Sequence, residues 1–396
     1  MPDWENVGLR PARMVLPAKG VDMSRWAVLA CDQYTSQEDY WRQVEEDVQE
    51  SASTYWQMIP ECYLEGALDE RVERACGMME ALLAKETLRE WPEGAMLVKR
   101  RWPDGSARHG LLLAVDLEAY DYKGGSRSLI RPSEGTIVAR IPPRLKLRSQ
   151  AALEYPHILM LVDDPQQTVI ESLWAREGDF EEVYNFTLGW SGGPIEGRFV
   201  PAEALQAACA ALEALKERSA AAYGEPFLMA VGDGNHSLAT AKAHWEQVKQ
   251  SLPQGEWRDH PARYALAELV NVYDEGIAFE PIPRVLFDVP ADGAERIAAL
   301  QAEREGDFLL PLACLQAALD AYLAEEPGVT IDYIHGEENA RRIAEEAPGR
   351  LLFAPDVIEK EQLFAYIAKD GALPRKAFSM GEADQKRFYL EGRRIR

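Results

Sequence analysis

The fold of this chain is decided by the stretch Met229-Ala-Val-Gly-Asp-Gly-Asn-His-Ser-Leu-Ala-Thr-Ala241. An apolar run breaks at Gly232-Asp-Gly-Asn-His-Ser237 and then resumes with helical spacing. Residues 227–231 predict a buried strand, the two glycines permit a tight turn, and the residues from Ser237 onward predict a helix. An acid, an amide, an imidazole and a hydroxyl therefore stand at a strand end beside the first amides of a helix. Such a position favours a bound anion.

The composition is that of a folded globular protein with an acidic surface. The 396 residues are 47% hydrophobic and 28% charged, and the formal net charge is -23. Such a charge repels DNA, RNA and anionic membranes. We therefore expect no nucleic-acid and no membrane partner, and the sequence leaves open whether the chain forms a homo-oligomer.

The cysteines and the N-terminal segment both indicate a cytoplasmic protein. The five cysteines lie far apart and include no CxxC pair, which is typical of reduced thiols. Charged residues interrupt the first twenty residues, so no signal-peptide core is expected there. No apolar run approaches the roughly twenty residues that span a bilayer.

Along the chain, short apolar strands alternate with helical patterns, and no internal repeat is evident. The predicted fold class is α+β, with mixed β-sheets and interleaved helices. We expect an N-terminal α/β subdomain at 1–130 and an α/β domain at 131–396 that carries the motif, or one compact unit.

The motif itself offers candidate chemistry. Asp233 and His236 lie three residues apart across a turn, so the acid could hold Mg²⁺ or accept a hydroxyl proton while the imidazole faces phosphate oxygens. The alternative, which spacing alone favours, is that Asp233 closes an Asx-turn and that Asn235 or Ser237 caps the helix.

Polar residues elsewhere could join this site. Asp32 and Tyr34 follow a short apolar run, so Asp32 could supply a second carboxylate and Tyr34 could bind substrate; the alternative is a surface turn. Glu154 and His157, which flank Pro156, form another polar pair and are further candidates for substrate binding, although a lone histidine is more often structural.

Three cations follow a pair of prolines. Because Pro142 and Pro143 oppose a continuous helix, we expect extended chain in which Arg144, Lys146 and Arg148 share one face. In so acidic a chain this face favours an anionic ligand such as a nucleotide phosphate. Salt bridges to the surplus carboxylates are the simpler alternative.

Several motifs together resemble one family, the domain of unknown function 1015. The resemblance runs from the N-terminal part of the chain to its C-terminus. The motifs that carry it are Asp32-Gln-Tyr34, Arg140-Ile-Pro-Pro-Arg144, Glu154-Tyr-Pro-His157, Gly232-Asp-Gly-Asn-His-Ser-Leu-Ala-Thr-Ala241, Phe279-Glu-Pro-Ile-Pro-Arg284 and Leu373-Pro-Arg-Lys-Ala-Phe-Ser-Met-Gly381.

Many members of that family carry a DGHHR-type sequence where this chain has Asp233-Gly-Asn-His-Ser237. That sequence is similar to the DGxHR loop with which free serine kinases of the ParB and sulfiredoxin superfamily hold nucleotide phosphates and phosphorylate free L-serine. The resemblance implies a ParB/sulfiredoxin-like phosphate-binding strand, loop and helix embedded in a larger chain. It also implies ATP or ADP and Mg²⁺ as cofactors.

The same resemblance implies roles for individual residues. Asp233 would be catalytic and would bind the metal, and His236 would be catalytic or would bind phosphate. The catalytic glutamate of the kinases has no motif-level counterpart in this sequence, and Asp32 is assigned to that role by position alone. The other nucleotide-binding candidates are Gly232, Gly234, Asn235, Ser237, Arg144, Arg148 and Arg284.

Ser237 departs from the motif, because it stands where the kinases have arginine. Either Arg144, Arg148 or Arg284 supplies the missing cation, or this subgroup does not transfer phosphoryl groups. The first hypothesis is a nucleotide-dependent kinase of a small hydroxylated metabolite such as free L-serine. The alternative is a non-catalytic ligand-binding or regulatory protein of the same fold, and a ParB-like nucleic-acid-binding role is disfavoured by the charge.

Overall fold

The computed structural model describes residues 3–396, which form two compact units. The first unit comprises the described chain up to Pro132, together with Thr136–Ile277 and Glu382–Arg396. The second comprises Ser133–Gly135 and Ala278–Gly381. These bounds differ from the division into 1–130 and 131–396 drawn from the sequence, since the first unit takes most of both stretches.

A mixed sheet of ten strands is the centre of the first unit. Eight strands follow one another across it in the order Ile130–Pro132, Met229–Asp233, Leu159–Val162, Tyr264–Asn271, Ala107–Asp116, Leu88–Arg101, Gly193–Pro201 and Glu181–Leu188. The remaining two are Leu9–Arg10, beside Ala107–Asp116, and Ala12–Pro17, beside Leu88–Arg101.

Both parallel and antiparallel pairs occur around the motif. Met229–Asp233, called here the motif strand, runs parallel to Ile130–Pro132 and antiparallel to Leu159–Val162. Leu159–Val162 in turn runs parallel to Tyr264–Asn271. The predicted α+β class with mixed sheets and interleaved helices is therefore confirmed.

Side chains from both faces of this sheet are buried. Along one central strand, Leu111 and Leu113 enter one hydrophobic cluster, whereas Leu112 and Ala114 enter another. Because successive side chains of a strand point to opposite faces, the sheet is covered on both sides. The α-helices of this unit are Met23–Trp26, Glu38–Val48, Leu68–Ala84, Ile141–Arg148, Ile170–Trp174, Gln206–Tyr223 and Asn235–Gln250.

The segment around Pro142 and Pro143 differs from its predicted structure. Residues Ile141–Arg148 form an α-helix, called here the proline helix, and not the extended chain expected for Arg144, Lys146 and Arg148. Pro142 and Pro143 lie in its first turn, where backbone N–H groups have no partner within the helix and proline is tolerated.

The second unit contains two small sheets and four α-helices among its described residues. Phe279–Pro281 pairs with Phe378–Met380, and Arg284–Phe287 lies between Thr330–Tyr333 and Leu351–Phe353. The helices are Gly293–Ala302, Pro311–Glu325, Glu337–Glu345 and Lys360–Asp370. Across residues 3–396, no helix has both the length and the apolar character needed to cross a membrane.

The C-terminal tail is fastened to the first unit by a buried ion cluster. Arg387 donates to Glu268 of the central strand Tyr264–Asn271 and, at 2.5 Å, to Glu391 of the tail itself. Arg108 also donates to Glu268, at 3.2 Å. Tyr184 donates its hydroxyl hydrogen to Glu391. All four charged side chains are at most 5% exposed, so each charge depends on its partners.

The same arginine also holds two loops. Its Nε donates to the carbonyl of Pro156 at 3.1 Å, and its own carbonyl accepts from the amide of Ala30 at 3.0 Å. The next two residues of the tail, Phe388–Tyr389, pair antiparallel with Val28–Leu29. Arg387 thus joins the tail, the loop before His157 and the loop before Asp32.

We predict that Arg387→Leu lowers the free energy of unfolding by about 3–5 kcal/mol, because Glu268 and Glu391 would lose a buried cation. The matched control is Arg394→Leu in the same tail, whose partner Glu90 lies at 3.3 Å in an exposed ion pair. That control should cost less than about 1 kcal/mol. Equal urea-unfolding free energies for the two variants would contradict the anchoring role.

Candidate active site

The motif forms a strand, a one-residue turn and a helix. The motif strand ends at Asp233, and the helix Asn235–Gln250, called here the motif helix, begins two residues later. The strand lies two residues later in the chain than predicted, and the helix begins two residues earlier than predicted. Gly234 is the N-cap with φ of 77°, so the predicted alternative in which Asn235 or Ser237 caps the helix is wrong.

Glycine is required at the turn for two reasons. The positive φ of Gly234 lies in a region that other residues adopt at a cost. A Cβ there would also lie 3.0 Å from the Cα of Ile158. The turn therefore brings the start of the motif helix against the chain that follows His157.

Asp233 is paired with a lysine of the tail. Lys386 Nζ lies 3.3 Å from Asp233 Oδ2, and the lysine side chain is only 11% exposed. Asp233 Oδ1 accepts the amide of Gly234 at 2.9 Å. The structure thus places a fixed cation at the loop whose sequence lacks the arginine of the DGxHR motif.

His157 links the motif to the N-terminal loop. Its Nε2 lies 3.2 Å from the hydroxyl of Ser237 and 3.5 Å from Asp32 Oδ2, and its Nδ1 lies 2.8 Å from the hydroxyl of Tyr389. The imidazole is buried. Asp32, Ser237 and Tyr389, which are far apart in the sequence, therefore meet at one ring.

The charges around this ring favour an ion pair. Burial lowers the pKa of His157, but the carboxylate of Asp32, with those of Asp233 and Glu61, outweighs it and raises the pKa above the usual value. Burial likewise raises the pKa of Asp32, but His157, the amide of Gln33 and the charge of Lys386 hold it well below the usual range. Both directions favour imidazolium beside carboxylate.

Tyr389 and Cys31 complete the hydrogen bonding. The Tyr389 oxygen accepts the amide of Cys31 at 3.3 Å, and its hydroxyl hydrogen points to Cys31 Sγ at 3.0 Å. Burial raises the pKa of both the phenol and the thiol. A protonated His157 can therefore donate from Nδ1 to Tyr389, which in turn donates to sulfur, so each of these groups is satisfied.

His236 and Asn235 occupy the first turn of the motif helix. His236 Nε2 accepts the amide of Ile137 at 3.2 Å, which assigns the imidazole hydrogen to Nδ1. Asn235 donates its side-chain amide to the carbonyl of Val231 at 3.4 Å. Gly232 lies within the motif strand, one residue before Asp233.

The three arginines expected at the phosphates have partners of their own. Arg144 pairs with Glu61, and Arg148 Nη2 lies 2.7 Å from Glu154 Oε2. Arg284 belongs to the second unit, where its guanidinium is fully buried and donates to Gln316 Oε1 at 3.2 Å.

Glu154 and Tyr34, expected to bind substrate, have different surroundings. Glu154 is buried and accepts from Arg393 at 2.7 Å and from the amide of Leu266 at 2.9 Å. Tyr34 is half-buried in a left-handed backbone conformation, and its ring centroid lies 4.2 Å from that of Tyr40.

The carboxylates of the chain bear on whether Mg²⁺ can bind. Within residues 3–396, no three histidine, cysteine, aspartate or glutamate side chains converge in a way that could hold a metal. Mg²⁺ is usually bound by one or two carboxylates together with substrate phosphates. Asp233 is a single carboxylate of the kind that such a binding mode uses.

Lys386 and Tyr389 were not among the site residues predicted from the sequence. Both lie in the tail segment Lys386-Arg-Phe-Tyr389, which reads as an ordinary charged and aromatic strand. A signal was present in Arg387, because an arginine inside a short apolar strand needs buried carboxylate partners. Its partners Glu268 and Glu391 could not be identified without the fold.

Comparison with known proteins gives one family and several solved structures. The family described as "Protein of unknown function (DUF1015)" matches residues 15–390, and no curated protein matches the chain. The chain is similar to free serine kinase in complex with AMP, with a TM-score of 0.36 and 9% identity, covering 72% of this chain and 92% of that one.

Two further structures have comparable values. A mutant free serine kinase in complex with ADP gives a TM-score of 0.37 and 8% identity, covering 72% of this chain and 92% of that one. A conserved hypothetical protein from Pyrococcus furiosus gives 0.33 and 9%, covering 70% and 93%. At such low TM-scores, function has to be argued from the chemistry of the site.

We predict that Asp32→Asn lowers the NMR titration midpoint of the His157 imidazole by about 1 pH unit or more, because it removes the main group that raises this pKa. His157→Gln assigns the resonance. The exposed substitution Asp39→Asn is the matched control and should leave the midpoint unchanged. An equal midpoint in both variants would rule out the ion pair.

The pH dependence of stability follows from the same pair. Because the pKa of His157 is raised in the folded state, its protonated form stabilises the fold at every pH below the ordinary histidine pKa. This stabilisation is lost as pH rises through the folded pKa. The lowered pKa of Asp32 stabilises above the ordinary aspartate value and is lost as pH falls through the folded pKa. The stability difference between wild type and Asp32→Asn should therefore be largest between about pH 4 and 6.5.

Proposed function

This chain belongs to the DUF1015 family of proteins of unknown function, as its motifs predicted, and we propose that it is a nucleotide-dependent kinase of a small hydroxylated metabolite. The observation that carries the proposal is the pairing of Asp233 with Lys386 at the start of the motif helix, beside Asp32, His157 and Ser237. Phosphoryl transfer depends chiefly on positioning and on charge stabilisation. This cluster offers both.

The nucleotide phosphates are assigned to the start of the motif helix. The positive end of a helix dipole favours an anion, and the hydroxyl of Ser237 can donate to a phosphate oxygen. Lys386 would neutralise phosphate charge in place of the motif arginine, since it lies beside Asp233 at this turn, whereas Arg144 pairs with Glu61. His236 lies in the same turn and would contact the phosphates through the hydrogen on its Nδ1.

Asp233 and Asp32 take separate roles in the proposed reaction. Asp233 would contact Mg²⁺ carried by the nucleotide, and this ion would offset phosphate charge. The acceptor hydroxyl oxygen bonds to the terminal phosphorus as the bond from that phosphorus to the bridging oxygen breaks, which releases the shortened nucleotide. The hydroxyl proton passes to the Asp32 carboxylate, which His157 orients.

The first test is turnover by the purified full chain with ATP or ADP, Mg²⁺ and a panel of hydroxy acids that includes L-serine. We predict that Asp233→Asn lowers kcat by about a hundredfold or more while the protein remains folded. The control Asp104→Asn changes another turn aspartate, which accepts from Ser106, and should keep full activity. Product is measured by phosphorus NMR.

Two results would overturn the kinase proposal. One is wild-type activity in Asp233→Asn. The other is wild-type protein that shows neither phosphorylated product nor a nucleotide-dependent thermal shift. Ligand binding without turnover would instead support the non-catalytic alternative, which the serine at position 237 motivates.

A second prediction concerns the lysine that only the structure identified. Lys386→Ala should raise the KM for nucleotide about tenfold to a hundredfold, because it removes a charge-assisted contact to phosphate. Lys386→Arg keeps the cation and should lose less, and the exposed Lys19→Ala should lose nothing. An unchanged KM in Lys386→Ala would exclude this lysine from phosphate binding.

A further inference from the structure

A cavity of about 140 Å³ in the first unit includes His157 and Ser237 in its wall. Asp32, Asp233 and Lys386 are not among its lining residues. His157 and Ser237 therefore line the cavity and also belong to the site described above, where His157 contacts both Ser237 and Asp32. A molecule in the cavity can reach the ring that meets Asp32 without displacing the Asp233–Lys386 pair.

Most of the cavity wall is hydrocarbon. The apolar lining comes from the loop after Gln57, from the helix Leu68–Ala84, from the proline helix and from the segment that follows it, and it includes Met58, Leu64, Met79, Leu147, Ala151 and Leu153. A concave apolar surface favours a ligand with an apolar body.

The wall contains two arginines, Arg144 and Arg148, and two glutamates, Glu61 and Glu154, and Arg148 is the arginine whose hydrogen bonding is incomplete. Glu154 is shared by Arg148 and Arg393 and also accepts the amide of Leu266. Although Arg148 Nη2 is close to Glu154, neither this nitrogen nor Arg148 Nε has an aligned acceptor within residues 3–396. Because buried donors normally have acceptors, Arg148 favours an anionic group in the cavity.

The lining of the cavity matches free serine poorly, because most of it is apolar. Serine has no hydrocarbon group beyond the carbon that bears its hydroxyl, so it would leave the methionine and leucine side chains without contact. An acceptor with a hydrocarbon group beyond its hydroxyl would contact them.

We propose that the cavity binds the phosphoryl acceptor and that this acceptor is a hydroxy acid with an apolar body. Its carboxylate would face Arg148, its hydroxyl would lie at His157 and Ser237, and its hydrocarbon would pack on Met58, Met79 and Leu147. The identity of this ligand as an acceptor rests on the proposed kinase function. Its chemical class rests on the cavity alone.

Binding is tested without nucleotide, by calorimetry on the full chain with L-serine, L-threonine, β-hydroxyleucine and β-phenylserine. Affinity should rise along this series as the apolar group grows. Arg148→Met should weaken binding of β-phenylserine about tenfold to a hundredfold. It should leave the decarboxylated amino alcohol unaffected, because that probe has no group for the arginine.

Matched controls separate the cavity from general damage. Lys146 lies on the same helix as Arg148 but outside the cavity, so Lys146→Met should bind β-phenylserine like wild type. Ala151→Leu would fill the cavity and abolish binding, whereas Ala152→Leu changes the next buried alanine, which does not line it. Thermal unfolding of each variant verifies folding.

The outcomes distinguish this inference from the kinase proposal. Equal affinity for serine and β-phenylserine, or equal binding by Arg148→Met and Lys146→Met, would overturn the assigned ligand class even if serine is phosphorylated. Binding that depends on Arg148 and on the apolar body, without phosphorylation, would support the ligand class and count against the kinase.

Discussion

The buried ion pair between Arg387 and Glu268 is the constraint on which the site depends. It attaches a short C-terminal segment to the centre of the large sheet, and the same guanidinium holds the carbonyl of Pro156. The residues on either side of Arg387 in the tail then have little freedom. Lys386 reaches Asp233, and Tyr389 reaches His157. Buried charges are costly without partners, so the cluster forms only when the tail, the sheet and the loops are all in place.

In the site built on this anchor, each of the two aspartates, Asp32 and Asp233, lies beside a basic side chain. Asp32 lies beside the imidazole of His157, whose pKa is raised, and Asp233 lies beside Lys386. The helix dipole adds positive potential at the same turn. A lysine that is distant in the sequence, Lys386, thus lies close in space to the loop in which Ser237 stands in place of the motif arginine. Arginines nearer in the sequence, such as Arg144, are paired with carboxylates instead.

Local patterns predicted local structure well and long-range contacts poorly. The strand, turn and helix at residues 229–250 were recognisable because their glycines and apolar spacing act over a few residues. The proline helix was mistaken for extended chain, because the prolines were weighed as helix breakers and not as first-turn residues. No local pattern indicated that the carboxylate of Glu154 joins Arg393 to the strand of Leu266, because both partners lie more than a hundred residues away.

By itself, the amino-acid sequence determined the α+β class, the family and the motif loop, because periodicity, glycine turns and short motifs are properties of neighbouring residues. Only the tertiary structure decided which charges meet. The approach of Lys386 to Asp233 and of Asp32 to His157 depends on strand order and on a buried ion cluster that joins residues more than a hundred positions apart. Such pairings follow from the balance of desolvation and Coulomb attraction in the folded interior, which no local pattern encodes.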